Sequence, residues 1–404
     1  MGSVSMIPTP HEPSERHSLF LKRALRALAA IAIALSGIFV LSVAMHPSCT
    51  DFIEYWSSAK LLLNHLNPYS PAGVFSLERS GGFLAQSPLI MLNPPWALFL
   101  IAPLGLAGIQ LGFFLWTIAA IGCVLVFVKL LNRSSTNNLL ALAFAPVLAC
   151  LCSGQSSPFL LLGFCLFLYF QKRRPFLAGA ALLLMALKPH LFLVFWAVLL
   201  VECIQKRKFL VPVGFLSALA LASIFPLCFD HQVWWHYIET VHSASLKQAV
   251  FPTLPMVFRQ IIDPGAVWLL FVPSIAAIVW GLWYYRRNRK VWDWNTHGML
   301  LMLVTILASP YGFFTDQIVL LPSIAFALTF PKKRRYSGPL LLLINSIAFV
   351  PLVMPHASLT SLSLVWTPAA WLAWFLYATS GVKDRDLPAR PGLPFRIKKL
   401  ASSH

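Results

Sequence analysis

Residues 106–131 read LAGIQLGFFLWTIAAIGCVLVFVKLL, a stretch in which Lys129 is the only charged residue. A helix needs about 20 consecutive apolar residues to cross the hydrocarbon core of a bilayer, so this stretch predicts a transmembrane helix. The rest of the chain agrees with it, because 58% of the 404 residues are hydrophobic and only 11% are charged. Soluble domains carry about 25% charged residues. The sequence therefore predicts an all-α polytopic membrane protein.

Apolar segments of this kind recur along the chain, and we predict a bundle of about twelve transmembrane helices. Several segments are shorter than a perpendicular span requires, so those helices are expected to tilt or to break at the interface. The first segment follows four basic residues and is longer than the core of a signal peptide, about 7–15 residues, which favours an uncleaved helix over a cleaved leader. The segments lie at roughly 24–46, 106–131, 138–152, 157–170, 176–187, 190–204, 209–228, 265–285, 297–308, 314–330, 337–353 and 362–380.

The basic residues divide the loops between two sides of the membrane. Cytoplasmic loops are enriched in Lys and Arg, and clusters such as 172–174, 206–208 and 332–335 alternate with loops that hold very few. This pattern places both termini in the cytoplasm. It also accounts for the net charge of +18, so we predict no nucleic-acid partner. The extracytoplasmic side keeps only Lys60, Arg79, Lys188, Lys247 and Arg259.

The same alternation predicts three parts of the chain. Residues 1–21 form a cytoplasmic N-terminal segment, residues 22–380 form the transmembrane domain, and residues 381–404 form a basic cytoplasmic tail. Two long outer loops, 47–105 and 229–264, are expected to carry interfacial helices. Since the polar residues outside the basic clusters gather on the outer side, we expect any chemistry at the extracytoplasmic face of a plasma (inner) membrane.

Asp51 opens the first outer loop and precedes an expected helix at 52–65. A carboxylate where the chain leaves a bilayer is expensive to hold unless it has a function, and Asp51 could act as a general base. It could also cap the helix, because a capping Asp satisfies free backbone N–H groups, and the residue type alone favours the cap. The apolar residues of 52–65, Tyr55 among them, recur at helical spacing and predict a helix that lies on the membrane surface.

Lys188 comes at the end of an apolar run, and Pro189 breaks the chain directly after it. A lone lysine on the side that is poor in basic residues suggests an anionic partner such as a lipid phosphate. The alternative is that its ammonium snorkels to a headgroup. The proline favours the first interpretation, because the break frees backbone groups to line a cavity. Arg259 in the second outer loop is another candidate for holding a phosphate.

Two further polar residues stand in apolar surroundings. Gln155, in a tight outer turn, could bind a sugar or a phosphate, although turn chemistry explains most of it. Asp316 lies within an apolar run and must pair or face a cavity; it could take part in the chemistry or be a structural partner for Lys188 or Arg259. The histidines and the seven cysteines show no metal-ligand spacing. We therefore predict no metal site and no cofactor, with metal dependence left open.

Short motifs follow one another in a characteristic order along the outer side. They are Asp51-Phe52 with Tyr55, Asn67-Pro68-Tyr69, Asn93-Pro94-Pro95, Pro103-Leu104-Gly105, Gly154-Gln155, Ala178-Gly179, Lys188-Pro189, Phe251-Pro252-Thr253 and Ser309-Pro310-Tyr311. This order resembles glycosyltransferase family 87, polytopic enzymes of the GT-C architecture, over about residues 22–380. The resemblance implies an acidic catalytic base in the first outer loop, which Asp51 matches. It also implies a polyprenyl-phosphate sugar, commonly mannose, as the donor.

The resemblance thus implies a GT-C-like bundle that moves a hexose from a polyprenyl phosphate to a lipid or glycan acceptor. Asp51 would take the proton of the acceptor hydroxyl as it attacks the anomeric carbon with inversion. Lys188 would hold the charge of the phosphate that leaves. The expected substrate-binding residues are Glu54, Tyr55, Asn67, Tyr69, Gln155, Lys188, His190, Arg259, Tyr311 and Asp316.

Three other functions compete with this one. A transporter or flippase of lipid-linked sugars would also be polytopic, but it predicts inverted repeats and discontinuous helices at the bilayer midplane, and the sequence shows no matching halves. A scaffold without catalysis leaves Asp51, Lys188 and Asp316 unexplained. A surface-polysaccharide polymerase or ligase would use the same side and similar lipids, so only substrate assays separate it from a transferase.

Overall fold

The computed structural model describes residues 51–131, 143–244, 250–330, 336–353 and 362–380. Within these ranges the chain forms α-helices and short 3-10 helices joined by turns, and no strand occurs. This agrees with the predicted all-α class. The predicted first span at 24–46 and the predicted cytoplasmic segments 1–21 and 381–404 lie outside the described residues.

The α-helices are numbered in chain order. Their bounds are α1 Phe52–Leu63, α2 Pro71–Ser80, α3 Leu98–Ile101, α4 Ile109–Leu131, α5 Ala145–Ser153, α6 Ser157–Phe170, α7 Pro175–Met185, α8 Leu193–Gln205, α9 Leu210–Ile224, α10 Val233–Ser243, α11 Leu254–Ile262, α12 Val272–Asn288, α13 His297–Leu307, α14 Leu321–Ala327, α15 Ser337–Val353 and α16 Thr367–Thr379. The 3-10 helices are Pro95–Ala97, Ala102–Leu106, Pro189–Phe192, Phe225–Cys228, Val267–Phe271, Phe314–Leu320 and Leu362–Leu364.

Four helical stretches in the described residues are long and apolar enough to cross a membrane. They confirm the predicted segments at 106–131, 209–228, 265–285 and 362–380 as helices of spanning length. Most of the other predicted segments form apolar helices of only 10–17 residues, so the total of about twelve spans stays a prediction. The four stretches are Ile109–Leu130, Leu210–Cys228, Val267–Asn288 and Leu362–Thr379.

Helices α7 and α9 approach each other closely because glycines stand at their contact. A Cβ atom on Gly179 would lie 1.9 Å from the carbonyl oxygen of Val211, and one on Gly214 would lie 2.0 Å from that of Phe176. Small residues at such an interface let two membrane helices gain tight van der Waals contact. The contact holds α7 firmly, and the chain just after α7 carries Lys188.

Helix α1 confirms the predicted helix at 52–65 but not its place on the membrane surface. The side chains of Phe52 and Trp56 are buried by the protein itself. The ring of Phe52 meets Phe113 edge-on with centroids 5.2 Å apart, and Nε1 of Trp56 donates to the carbonyl oxygen of Ala107 at 3.0 Å. Apolar residues at helical spacing can pack into a protein core or lie on a membrane surface. In α1 they pack into the core.

The two predicted outer loops, 47–105 and 229–264, pack against each other within their described residues. His65 adopts a left-handed backbone with a φ of 57°, and its Nδ1 atom lies 3.0 Å from the carbonyl oxygen of Phe229. The rings of Tyr69 and Tyr237 lie 5.5 Å apart. Helix α10, predicted to be interfacial, exposes 61% of Trp235, as a helix lying on a membrane surface does. The second loop therefore supports the first and presents apolar side chains outward.

Candidate functional site

Asp51 stands at the N-terminus of α1, yet its side chain does not cap the helix. Its Oδ2 atom accepts a hydrogen bond from Nε2 of Gln155 at 2.7 Å. Its backbone N–H donates to the carbonyl oxygen of Ser153 at 2.9 Å, which fastens the start of α1 to the end of α5. The cap that the residue type favoured is therefore wrong, and the carboxylate faces other side chains instead.

Gln155 is buried and uses both ends of its amide. While Nε2 donates to Asp51, Oε1 accepts from the Lys188 ammonium at 3.0 Å and from the Tyr55 hydroxyl at 3.2 Å. These contacts join three segments that are far apart in sequence, so turn chemistry does not explain the residue. Protein groups satisfy the amide here, and its contact with a sugar or phosphate stays a prediction.

The turn that presents Gln155 depends on Gly154. This residue follows α5 with a φ of 67°, the left-handed conformation that ends many helices and that glycine adopts at least cost. A Cβ atom there would lie 2.7 Å from Cβ of Phe52, so α1 also excludes a larger residue. From α4, Nε1 of Trp116 donates to the carbonyl oxygen of Gly154 at 2.8 Å. Three helices thus fix the position of Gln155.

Lys188 forms a buried ion pair with Asp316. Its Nζ atom lies 2.7 Å from Oδ1 of Asp316, and the two side chains are 9% and 2% exposed. Buried charges are stable only when they are paired and further hydrogen-bonded. Asp316 meets this condition, because it accepts from the Ser157 hydroxyl at 2.6 Å and from the backbone N–H of Phe313 at 2.8 Å. Of the two expected partners of Asp316 the structure selects Lys188, and Lys188 does not snorkel.

These contacts form one continuous set, which we name the Gln155 network. All its members except Ser157 were predicted from the sequence; a serine that begins an apolar helix carries no such signal. The network consists of Asp51, Tyr55, Gln155, Ser157, Lys188 and Asp316.

Two residues outside the predicted set hold Lys188 in place. Nδ2 of Asn93 donates to the carbonyl oxygen of Leu187 at 2.8 Å, and Nε1 of Trp96 donates to that of Ala186 at 2.8 Å. Both satisfy carbonyl groups at the C-terminal end of α7, where a helix leaves its last acceptors unpaired. The Asn93-Pro94-Pro95 motif was the signal in the sequence, although its spacing alone did not indicate this partner.

Two carboxyl groups at the start of α1, those of Asp51 and Glu54, have raised pKa values. Burial raises the pKa of Asp51 against the lowering effects of the Gln155 hydrogen bond and the Lys188 charge, while the negative charge of Asp316 adds to the rise. Glu54 is half-buried and lies one helical turn further on. Burial and then the charge of Asp51 raise the pKa of Glu54 to about 8, and Lys188 opposes this. A carboxylate with a raised pKa accepts a proton more readily near neutral pH, which suits a general base.

A group of half-buried aromatic rings lies beside the ion pair. The rings of His190 and Tyr311 are stacked with centroids 3.9 Å apart. Phe251 lies 5.6 Å from Tyr311 and 5.8 Å from Phe313, ring to ring. The Nζ atom of Lys188 lies 5.6 Å from the ring centroid of Phe313. The structure therefore brings the predicted residues His190 and Tyr311 together next to Lys188, and substrate pockets are commonly lined by such rings.

Three other predicted substrate-binding residues make contacts within the loops, and their part in substrate binding stays a prediction. Asn67 accepts from the backbone N–H of Tyr69 at 2.8 Å, and the fully buried Tyr69 donates from its hydroxyl to the carbonyl oxygen of Asn93 at 3.0 Å. Arg259, also fully buried, donates from Nε and Nη2 to the carbonyl oxygen of Pro264. These contacts hold the outer loops, and none of the three residues belongs to the Gln155 network.

Within the described ranges, no group of three or more His, Cys, Asp or Glu side chains could hold a metal ion.

The family model of glycosyltransferase family 87 matches residues 91–310. The match covers more than half of the 404 residues and includes Gln155 and Lys188, whereas Asp51 and Asp316 lie on either side of it. No curated protein and no solved structure matches the chain. Three of the four described helical stretches of spanning length lie wholly within the matched region, and Leu362–Thr379 lies beyond it. The chain belongs to glycosyltransferase family 87 and is a membrane glycosyltransferase.

Proposed function

We propose that the protein transfers a mannose-like hexose from a polyprenyl phosphate to a hydroxyl group of a lipid or glycan acceptor. The transfer takes place at the extracytoplasmic face of the plasma membrane. One observation carries this proposal. The carboxylate of Asp51 does not cap its helix, and the side-chain amide of Gln155 bridges it to the buried ammonium of Lys188. A group that accepts a proton and a cation that stabilises an anionic leaving group are what transfer from a sugar phosphate requires.

In the proposed step one bond forms, one bond breaks and one proton is transferred. The oxygen of the acceptor hydroxyl attacks the anomeric carbon and forms a new C–O bond, while the bond from that carbon to the phosphate oxygen breaks. The electron pair of the broken bond stays on the phosphate, which leaves as a monoester with one more negative charge. The hydroxyl proton moves to Asp51, which becomes a neutral acid and later gives the proton to water. Attack from the side opposite to the phosphate inverts the anomeric carbon.

Lys188 is arranged to meet the leaving phosphate. Its ammonium has three N–H donors, and its nearest acceptors are Asp316 at 2.7 Å and Gln155 at 3.0 Å. The carboxylate of Asp316 is a charged acceptor, and the neutral amide of Gln155 is the weaker acceptor of the two. A phosphate oxygen can therefore replace the amide oxygen at Lys188 while the ion pair stays intact.

The aromatic rings beside Lys188 offer a surface for the sugar of the donor. The stacked pair of His190 and Tyr311 is half-buried, so part of its surface remains open next to the ammonium. A sugar whose phosphate is held at Lys188 would lie against these rings, with its anomeric carbon towards Asp51.

The acidic residues on the predicted cytoplasmic side support the proposal that transfer takes place at the opposite, extracytoplasmic face. Glu202 accepts from Lys206 at 3.1 Å and from Lys208 at 2.8 Å, and Asp293 accepts from Lys172 at 2.7 Å. Each of these carboxylates is paired with a cation of the basic clusters. Burial would raise the pKa of Asp293, but the hydrogen bonds from Lys172 and Asn295 and the charge of Lys172 together lower it, which makes that group a poorer base.

The test is transfer in proteoliposomes that contain the purified full chain. Radiolabelled polyprenyl-phosphate hexoses and sugar nucleotides are supplied separately from the outside, with membrane lipids as acceptors. We expect product from the lipid-linked donor alone, with an anomeric configuration opposite to that of the donor. Product from a sugar nucleotide alone would overturn the donor class, and retained configuration would overturn the single-step mechanism.

A further inference from the structure

The amide of Gln155 has only one orientation that suits its surroundings. An ammonium group can only donate hydrogen bonds, and an ionised carboxylate can only accept them. Lys188 must therefore meet Oε1, which leaves Nε2 for Asp51, as observed at 3.0 Å and 2.7 Å. A reversed amide would set N–H groups against the ammonium and an oxygen against the carboxylate. Lys188 thus decides which end of Gln155 reaches Asp51.

We infer that Gln155 is a positioning residue that couples the Lys188 ammonium to the Asp51 carboxylate. When an anion takes the place of Oε1 at Lys188, only the Tyr55 hydroxyl still holds that oxygen, and the hydrogen bond from Nε2 to Asp51 weakens. The coupling itself follows from the contacts of the Gln155 network. Its use in transfer rests on the function proposed above.

The other charged groups around Asp51 set the direction of this coupling. Lys188 and the Gln155 donor favour the ionised carboxylate, whereas Glu54 and Asp316 disfavour a second negative charge nearby. An anion at Lys188 offsets the positive charge of that ammonium and loosens the Gln155 donor, so Asp51 binds a proton more readily. Coupling between two sites is reciprocal, so protonation of Asp51 also favours an anion at Lys188.

This direction suits the proposed reaction. The phosphate gains negative charge as its bond to the sugar breaks, and in the same step the acceptor hydroxyl must lose its proton. Through Gln155 the growing charge at Lys188 makes Asp51 a stronger base at the moment when it takes that proton. The amide therefore links the leaving group to the base without touching the sugar.

The experiment reads the protonation of Asp51 directly and needs no catalysis. A hydrophobic carbodiimide reacts with protonated carboxyl groups, and mass spectrometry of the Asp51 peptide gives the labelled fraction as a function of pH in the purified full chain. We expect Gln155→Leu to raise labelling of Asp51 near neutral pH several-fold. Gln171→Leu is the matched control, because Gln171 is also buried, and among the described residues its side-chain amide donates to the carbonyl oxygen of Leu168, at 3.4 Å, and to no charged group. An unchanged pH profile in Gln155→Leu would overturn the inference.

A double-mutant cycle separates coupling through the amide from direct charge effects. The pair variant Lys188→Met with Asp316→Asn removes both charges together, so no unpaired charge stays buried. The pH profile of Asp51 labelling is measured in the pair variant, in Gln155→Leu and in the variant that combines all three changes. If Lys188 acts through Gln155, the shift in the combined variant will differ from the sum of the other two shifts. Additive shifts would overturn the coupling. Variants that fail to fold are recognised by their melting curves, and Gln155→Met, which keeps the length of the side chain, then replaces Gln155→Leu.

The two proposals can fail separately. A labelling shift in a protein that transfers no hexose would keep the coupling and remove the proposed function. Transfer from a polyprenyl phosphate with no labelling shift would keep the proposed function and remove the coupling.

Discussion

Asp51 and Lys188 are held by opposite ends of a single amide. The carboxylate accepts from Nε2 of Gln155 at 2.7 Å, and the ammonium donates to Oε1 of the same side chain at 3.0 Å. A direct ion pair would lower the pKa of the carboxyl group and weaken it as a base. The neutral bridge keeps the two charges near each other without that pairing, so each can still meet a substrate group.

Replacement of Asp51 by Asn should abolish transfer while the protein stays folded. A positioned general base contributes about 10²–10⁴-fold to a rate, and the amide of Asn cannot take the proton. Initial rates in proteoliposomes test this, with melting curves to confirm folding. Asp263→Asn is the matched control, because Asp263 is an exposed acid of the second outer loop whose carboxylate accepts from the backbone N–H of Gly265. Full activity in Asp51→Asn would remove the base assignment.

Loss of Lys188 alone should destabilise the protein, since Asp316 would keep a buried charge without its cation. Breaking a buried ion pair in this way costs about 3–5 kcal/mol. The pair variant Lys188→Met with Asp316→Asn should recover most of that stability but not the affinity for the lipid-linked donor. Thermal unfolding and the KM for the donor, measured on both variants, separate the two effects. A pair variant with normal donor KM would show that Lys188 is only structural.

Glu54 should make the protein less stable as the pH rises. Its folded-state pKa is raised to about 8 from a usual value of 4.5, so between these values the folded protein binds more protons than the unfolded chain. Stability then falls with increasing pH across that window and levels off above it. Glu54→Gln should match the wild type near pH 5 and exceed it at pH 8 in thermal unfolding. Burial also raises the pKa of Glu78, to about 7, so the comparison uses the difference between variant and wild type. A constant difference across the window would contradict the assignment.

An alanine at Gly154 should damage both stability and transfer. The left-handed φ of 67° is unfavourable for alanine, and the new Cβ would lie 2.7 Å from Cβ of Phe52. We expect a loss of about 1–3 kcal/mol and a lower kcat, because Gln155 follows directly and would be displaced. Gly122→Ala provides the control, since nothing lies within 4 Å of a Cβ atom at that position in α4. Equal behaviour of the two variants in unfolding and in transfer would show that the turn does not position Gln155.

Much of the fold could be predicted from hydropathy and charge. The helices at 106–131, 209–228, 265–285 and 362–380 are apolar over a length that only a membrane requires, and the structure confirms them. Helix α1 could be predicted only in part. Its apolar spacing predicted a helix correctly. The contacts of Phe52 with Phe113 and of Trp56 with the carbonyl oxygen of Ala107 bury this helix, and they depend on the tertiary structure.

The candidate site could be predicted residue by residue but not as an arrangement. Asp51, Lys188 and Asp316 stood out because charges are rare and unfavourable in an apolar chain. The local rule for Asp51 then favoured a helix cap, and the structure overturned it because Gln155 competes for the carboxylate. Arg259 stood out for the same reason as Lys188, yet its guanidinium holds the carbonyl of Pro264.

The sequence by itself determined that the chain is a helical membrane protein and which few polar residues could carry chemistry. Both follow from properties of single residues and short windows, namely transfer energies and helical periodicity. Only the tertiary structure decided that Asp51, Gln155, Lys188 and Asp316 form one network. Those contacts join α1, the turn after α5, the end of α7 and the segment before α14, and their formation depends on how the helices pack, which no local pattern encodes.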